Sequence, residues 1–482
     1  MRAATPSGVG WSKGRHVPAA EPDIDESDRA MTIETMPLST SGIIAPAAGR
    51  ILARPSTSLA PRILVLGGGF AGVTAALELA RRCGGLLPVH ITLISDQNYF
   101  LFTPMLAEAA TGAVETRHIL YPIRPLCVPW GVEFAEMYVE AVDLQRRRVT
   151  VRHRRSSVRQ QVHYDKLVLA LGATPNVAIA PGAAEHALTF KSVGDSIQIR
   201  NRVIELFEAA ALSEDPWVRR RLLTFVVVGA GHAGTELVAA VEELARGILL
   251  RHYPSIPRAA IRLVLVGSTV LPQTATNLAA YTKEQLLRRG IELETVRAAN
   301  VSAEGLHLAD GRFIPSHCII WTAGNQVSAV VAALPLPKSK DGRLKVNGVF
   351  EVEGVPNVFA LGDNAAQIDS HTSAPYVATA QVAVRQGRTL ARQIEAELIG
   401  RERKPVSFKL FGEMVPLSRH KAVADLSGLK LVGVPAWVLW KTVYMLKLPT
   451  WAARLRVVLD WTVELFFERD VSELTVDKGR EA

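Results

Sequence analysis

The chain has little cysteine. Cys83, Cys127 and Cys318 are the only ones in 482 residues, and no two form a CxxC or CxxxxC pair. That excludes a disulfide framework, a zinc knuckle and a local dithiol pair, and it leaves three ordinary buried or half-buried thiols. There is no run of the ~20 apolar, uncharged residues that a spanning helix needs. The best stretch, from Val434 to Leu459, is broken by Lys441, Lys447, Arg454 and Arg456. No long apolar segment follows a basic start, which argues against a secretory signal. No loop has the Asp-rich form of an EF-hand, and no metal site is expected. No nucleic-acid motif accompanies the net charge of +9, so that charge is expected to meet dinucleotide phosphates or an acidic membrane face.

Apolar residues make up 48% of the chain, enough for two or three packed units. Residues 1–60 are rich in Ala, Pro, Ser, Thr and Gly and carry a short acidic patch around Asp23 and Glu26. They predict a disordered N-terminal tail, with an organelle transit peptide as the alternative reading of the acid-poor part after Met31. Order is expected from Arg62. ILVLGGG (63–69), AGVTAALELARR (71–82) and VHITLIS (89–95) read as strand, glycine turn, helix and strand. The pattern recurs in LTFVVVGAG (223–231), HAGTELVAAVEELARGI (232–248) and AIRLVLVGS (260–268). The fold class is therefore α/β, with two Rossmann-like dinucleotide-binding domains.

Each glycine turn has chemistry. Gly67, Gly69 and Gly72 form the first fingerprint, and Gly229, Gly231 and Gly234 the second. The first glycine makes the tight turn, the second lets backbone N–H groups reach a pyrophosphate, and the third lets helix and strand pack closely. The ribose acid is ambiguous at the first site. Ser95 stands where an acid is usual and Asp96 follows it, so either residue is a candidate. At the second site Gly267 occupies that place, and nothing there separates NADH from NADPH. Gly362-Asp363 closes a late strand. In a two-dinucleotide flavoenzyme such an Asp holds the flavin's ribityl chain, and in any other fold it is a helix N-cap. Glu236, in the first turn of the second helix, gains from the helix dipole and faces the nicotinamide side of the pocket. The stretch from Val434 to Phe467 mixes Trp437, Trp440, Tyr444, Trp451, Trp461, Phe466 and Phe467 with cations, the composition of an amphipathic helical membrane-anchoring region.

These features carry a resemblance. NYFLFTPMLAEAATGAVETRHI (98–119), GTELV (234–238), WTAG (321–324), PNVFALGD (356–363), AQVAVRQG (380–387) and the C-terminal runs 419–433, 436–449 and 455–461 resemble the type II NADH dehydrogenases, single-subunit NADH:quinone oxidoreductases that pump no protons. The resemblance implies FAD on Gly67, Gly69 and Gly72, with Gly172, Gly362 and Asp363 completing its cradle and Thr103 and Pro104 beside the isoalloxazine ring. It implies NADH on the second fingerprint with Glu236, Ala323 and Gly324 near the nicotinamide. Ala380, Gln381 and Gln386 match the family's quinone-site helix, where Arg385 departs from a common Gln pair.

The implied partners are NADH, a membrane quinone and a lipid surface met by the C-terminal region, with a homodimer possible. The implied location is peripheral, on the cytoplasmic face of a bacterial inner membrane, or alternatively on the mitochondrial inner membrane. The expected units are a FAD-binding domain at 61–220 and 351–405, an NADH-binding domain at 221–350 and a membrane-association region at 406–482. Two alternatives are an NADH-binding redox sensor and a flavin reductase with another acceptor, such as a sulfide:quinone oxidoreductase. The latter needs cysteines flanking the flavin, and Cys127 and Cys318 are distant candidates.

Overall fold

The computed structural model describes residues 60–474 except 85, 86, 155, 156, 371, 409, 411, 419 and 427. The N-terminal tail expected at 1–60 lies outside them, Ala60 apart.

In chain order the elements that position the site begin with β1 (Arg62–Leu66), α1 (Phe70–Cys83), β2 (His90–Ser95) and α2 (Leu106–Ala109). Then come β3 (Glu133–Asp143), β4 (Arg148–His153), β5 (Arg159–His163), β6 (Lys166–Leu169) and β7 (Leu188–Thr189). α3 (Val193–Leu212), β8 (Thr224–Val228), α4 (His232–Glu242), β9 (Arg262–Val266), β10 (Ile291–Glu294) and β11 (Cys318–Trp321) follow. The last third holds β12 (Val358–Ala360), α5 (Ala380–Leu398), β13 (Glu413–Ser418), β14 (Lys421–Leu426), β15 (Leu429–Gly433), α6 (Val434–Lys447) and α7 (Trp451–Phe466).

The first sheet has the order β12-β6-β1-β2-β3-β4-β5, parallel through β3 and antiparallel beyond it. The second has the order β7-β11-β8-β9-β10 and is parallel throughout. The central strands are buried on both faces, which is why β1, β6, β8 and β9, after a first polar residue, read as runs of Leu, Ile and Val with Phe225 in β8. Both expected dinucleotide folds are present. α1 and α5 lie against each other so closely that a Cβ on Gly387 would sit 2.8 Å from the Ala71 carbonyl oxygen.

The expected domain boundaries shift. β7 pairs with β11, so the chain enters the second sheet at Leu188, well before residue 221. α3 belongs there too, since it packs on β7 and β11. No glycine turn marks this entry; a capping box at Ser192 and Asp195 starts α3 instead. The chain leaves early as well. Asn325–Val327 pairs with Ala173–Pro175, and Val327, Val331 and Leu334 join the core under the first sheet.

The C-terminal region is a three-stranded antiparallel sheet, β13-β14-β15, followed by two helices. It is tied to the rest by His118–Asp460 at 2.6 Å, by Arg469 to Glu243, and by Arg200 to the Asp470 carbonyl oxygen. Several residues expected at a lipid surface lie inside instead. Trp440 and Trp461 are buried in the main core. Arg454 is 6% exposed and donates to the Leu446 and Leu448 carbonyl oxygens, which α6 leaves open at its end. Arg454→Ala is expected to destabilise this corner by about 2 kcal/mol, because buried carbonyls lose a charged donor. A lower melting temperature and faster proteolytic nicking between Leu446 and Trp451 are the readouts.

Candidate active site

Both glycine turns have the geometry of a phosphate cradle. Gly67 and Gly229 take φ of +114° and +116°, and a Cβ on them would lie 2.0 Å from the Ala170 carbonyl oxygen and 2.5 Å from Thr322 Oγ1. A Cβ on Gly72 would lie 1.9 Å from the Gly67 carbonyl oxygen, and on Gly234 1.8 Å from that of Gly229. Gly69 and Gly231 are the opposite case: a Cβ there would meet nothing within 4 Å. They cap α1 and α4, and neither helix has a side-chain cap or a first-turn acid at its start; Glu236, expected in the first turn, is the fifth residue of α4 and lies beyond it. The two helices thus offer bare N–H groups to an anion, which fits the pyrophosphates of FAD and of NADH.

The rest of the first cradle assembles around β6 and β12. Gly172 has φ +69° and open space at its Cβ direction. Asn364 is fully buried and donates to the Gly172 carbonyl oxygen at 2.7 Å, locking that loop to the Gly362-Asp363 turn. Asp363 is not a side-chain helix cap; its carboxylate takes an ion pair from Lys191 at 3.2 Å. Gln386 is fully buried. Its Oε1 accepts from the Gly362 N–H at 2.6 Å, and its Nε2 donates to Gln367 at 3.1 Å. It is therefore not on the surface of α5 with Gln381, which shares a half-buried face with Arg385. Ala380 is in the first turn of α5, behind the Thr379 cap.

The structure also separates the two ribose candidates. Ser95 is buried and touches the glycine turn: a Cβ on Gly68 would lie 2.5 Å from its Oγ. Asp96 is exposed. At the second site, no carboxylate follows Gly267. Glu294, whose backbone carbonyl accepts from the Gly267 N–H, has its carboxylate gripped by Arg312.

Thr103 is exposed and Pro104 half-buried at the start of the segment leading into α2, and α2 packs against α4. That contact brings Glu108 of α2 and Glu236 of α4 onto one cavity, closed from the tail by Trp437 and Lys441. Glu236 makes no side-chain hydrogen bond among the described residues. Burial pushes its pKa up to about 8 against the pull of His232, and the charge of Glu108 adds to the rise. His232 lies 3.6 Å from Glu413; burial alone would lower its pKa, but Glu413 and Glu236 raise it. Tyr444 packs edge-on to Phe102, and burial raises its pKa. Burial and Arg385 bring Lys447 down to about 8. Ala323 and Gly324 follow β11 at the mouth of the second cradle, where the Ala323 carbonyl oxygen accepts from Trp321 Nε1 at 2.8 Å.

Glu108, Lys191 and Asn364 were not singled out by sequence, and Tyr444 was read only as an aromatic of the membrane-anchoring region, whereas it packs inward on Phe102. Each acts on a partner far away in the chain, so no local spacing marks it. The three cysteines are buried and free, and burial raises each of their pKa values, so none is an activated thiol.

Two dinucleotide cradles in one chain, at the N-termini of α1 and α4, define a flavin- and pyridine-nucleotide-dependent oxidoreductase. Residues 61–387 match the pyridine nucleotide-disulphide oxidoreductase family model, and residues 413–470 match the NDH2 C-terminal domain. The chain belongs to the pyridine nucleotide-disulphide oxidoreductases and, within them, to the type II NADH dehydrogenases. It is 31% identical to the type II NADH:quinone oxidoreductase Ndh of Mycobacterium tuberculosis, over 85% of this chain and 89% of that one. It is 30% identical to the demethylphylloquinone reductase NdbB of Synechocystis sp., over 84% of this chain and 96% of the relative. NDH2 of Plasmodium falciparum, solved in complex with NADH, shares the fold with a TM-score of 0.78 at 19% identity, covering 86% and 99% of the two chains.

Gly72→Ala is expected to yield protein that has lost most of its yellow chromophore, because the added methyl group collides with the turn. Gly234→Ala is expected to keep the flavin and raise the KM for NADH. The flavin-to-protein absorbance ratio and steady-state NADH titration check the two.

Proposed function

We propose that this chain oxidises NADH held on Gly229, Gly231 and Gly234 and passes two electrons, through FAD held on Gly67, Gly69 and Gly72, to a membrane quinone without pumping protons. The observation that carries the reading is the packing of α2 on α4. It brings the helix that follows Thr103 and Pro104 against the helix that carries Glu236, so that Glu108 and Glu236 line one cavity. FAD when bound supplies the two-electron chemistry that links a hydride donor to a quinone acceptor.

The chain's own residues supply position and protonation. Ser95 is the better ribose contact of the two candidates, since it is the one that touches the glycine turn. Asp363, held by Lys191, and the Gly362 turn, held by Gln386, keep the ribityl side of the cradle in place. Gln386 is thus a positioning residue, and Gln381 with Arg385 forms the acceptor-facing part of α5. Glu236, protonated at neutral pH, adds no negative charge beside the nicotinamide. Ala323 and Gly324 line the way in. The described residues bring no cysteine pair to this space, so the sulfide-oxidising alternative is not favoured.

The quinone reading is supported by the outer face of the tail. Trp451, Leu455, Leu459, Val463 and Phe466 repeat at helical spacing on α7 and are between 52% and 77% exposed. Val434, Val438 and Leu446 of α6 add to the same apolar surface. No helix among the described residues is long and apolar enough to cross a membrane. A continuous apolar stripe on a helix of this length suits binding in the plane of a bilayer surface. Its exposed cation is Arg456, not the buried Arg454 or the half-buried Lys447.

Two measurements test this reading. The holoenzyme is expected to oxidise NADH with ubiquinone or menaquinone analogues. Flavin bleaching by NADH without quinone-dependent recovery would instead indicate a redox sensor. Leu455→Glu with Leu459→Glu is expected to weaken flotation with anionic vesicles by about 1,000-fold, since each buried leucine contributes about 2 kcal/mol. Unchanged flotation together with a loss of dimers would make the stripe a subunit interface.

A further inference from the structure

The cavity between α2 and α4 contains a carboxyl for which the nicotinamide and acceptor sites have no evident use. Glu108 is half-buried on α2, one turn after Thr103 and Pro104. Its Oε2 accepts from Trp461 Nε1 at 3.3 Å. The charged groups that face it come from every element around it: Lys441 on α6, Glu464 on α7, Arg469 just beyond, and Glu236 on α4. Lys441 is confined there. Its ammonium lies 4.6 Å from the Trp437 ring centre and 4.4 Å from that of Trp461, so cation–π contacts on both sides hold it beside Glu108. Glu464 is taken up by Arg469, which also binds Glu243.

This arrangement rests on the reading given under Proposed function, and it answers a question of balance. The overall reaction is NADH + quinone + H⁺ → NAD⁺ + quinol. The two electrons leave the nicotinamide C4–H bond and reduce the quinone. Of the two protons on the quinol oxygens, one derives from that C4–H and one from solvent. The solvent proton has to be delivered to a site walled by protein, and a group that changes protonation near neutral pH suits that transfer.

We propose that Glu108, with Lys441 as its charge partner, is the proton-holding residue of this cavity: its carboxyl O–H gives up a proton toward the quinone side in each turnover and is reprotonated from solvent. Burial raises Glu108 to about 7, Lys441 opposes that rise and Glu464 adds to it. Burial raises Glu236 further, with the charge of Glu108 among the causes, so Glu108 is the first of the two to lose its proton.

The test uses the holoenzyme and two independent readouts. In stopped flow, quinone-dependent reoxidation of the flavin is expected to fall as pH rises through about 7, because the donor must be protonated. Glu108→Gln is expected to lose that limb and to slow reoxidation by about 100-fold, with bleaching by NADH unchanged. Lys441→Met is expected to move the limb to higher pH and Glu464→Gln to lower pH. The second readout needs no turnover. Infrared spectra of the oxidised holoenzyme are expected to show a protonated-carboxyl C=O band that fades near neutral pH and is absent from Glu108→Gln. Glu108→Asp, which keeps the carboxyl, serves if the amide variant does not fold, and is expected to shift the band and the limb without removing them. An unaltered pH limb in Glu108→Gln, or a Glu108 that is ionised throughout by infrared, overturns the proposal. If the wild-type flavin is not bleached by NADH, the underlying reading fails instead, and the infrared titration still decides the state of Glu108.

Discussion

Two helix N-termini capped by glycine set the terms for the whole molecule. A helix start without a side-chain cap leaves N–H groups and about half a positive charge without a partner. In α1 and α4 that cost is accepted because the open side of Gly69 and Gly231 admits an anion where a side chain would intrude. Everything else follows the two cradles. The strands that feed them are buried on both faces and so are aliphatic. Gly67 and Gly229 turn where no other residue fits without strain. α5 crosses α1 at glycine contact distance, and from there Gln386 reaches the Gly362 amide.

The tail does two jobs with opposite faces of the same helices. Its inner face carries Trp440, Trp461, Arg454 and Lys441, which complete the core, close the α6–α7 corner and wall the cavity. Its outer face carries the aliphatic and aromatic stripe. The inner face also limits water around the carboxyls of the cavity. Loss of water strengthens each charge, which explains why Glu108 and Glu236 depart from their ordinary protonation ranges.

Legibility tracked distance along the chain. The fingerprints were readable because each glycine answers to atoms within a few residues or in the adjoining strand. The choice between Ser95 and Asp96 was not, because it depends on where β2 ends relative to the turn after β1. Gln386 matched a quinone-site pattern by type, yet its amide belongs to the Gly362 loop. Arg454 and Trp461 matched a lipid-facing composition, yet helical phase turned them inward. The sheet boundaries at Leu188 and Asn325 carried no punctuation that composition registers.

By itself the amino-acid order determined that two dinucleotides would be bound, because a tight phosphate turn is dictated by local backbone sterics. It also determined that the tail would be amphipathic, since spacing alone separates apolar from charged residues. Only the tertiary structure decided which residues share a space. Glu108, Glu236 and Lys441 are separated by long stretches of chain, and what alters their chemistry is the loss of water around them, a property of packing that no stretch of sequence holds on its own.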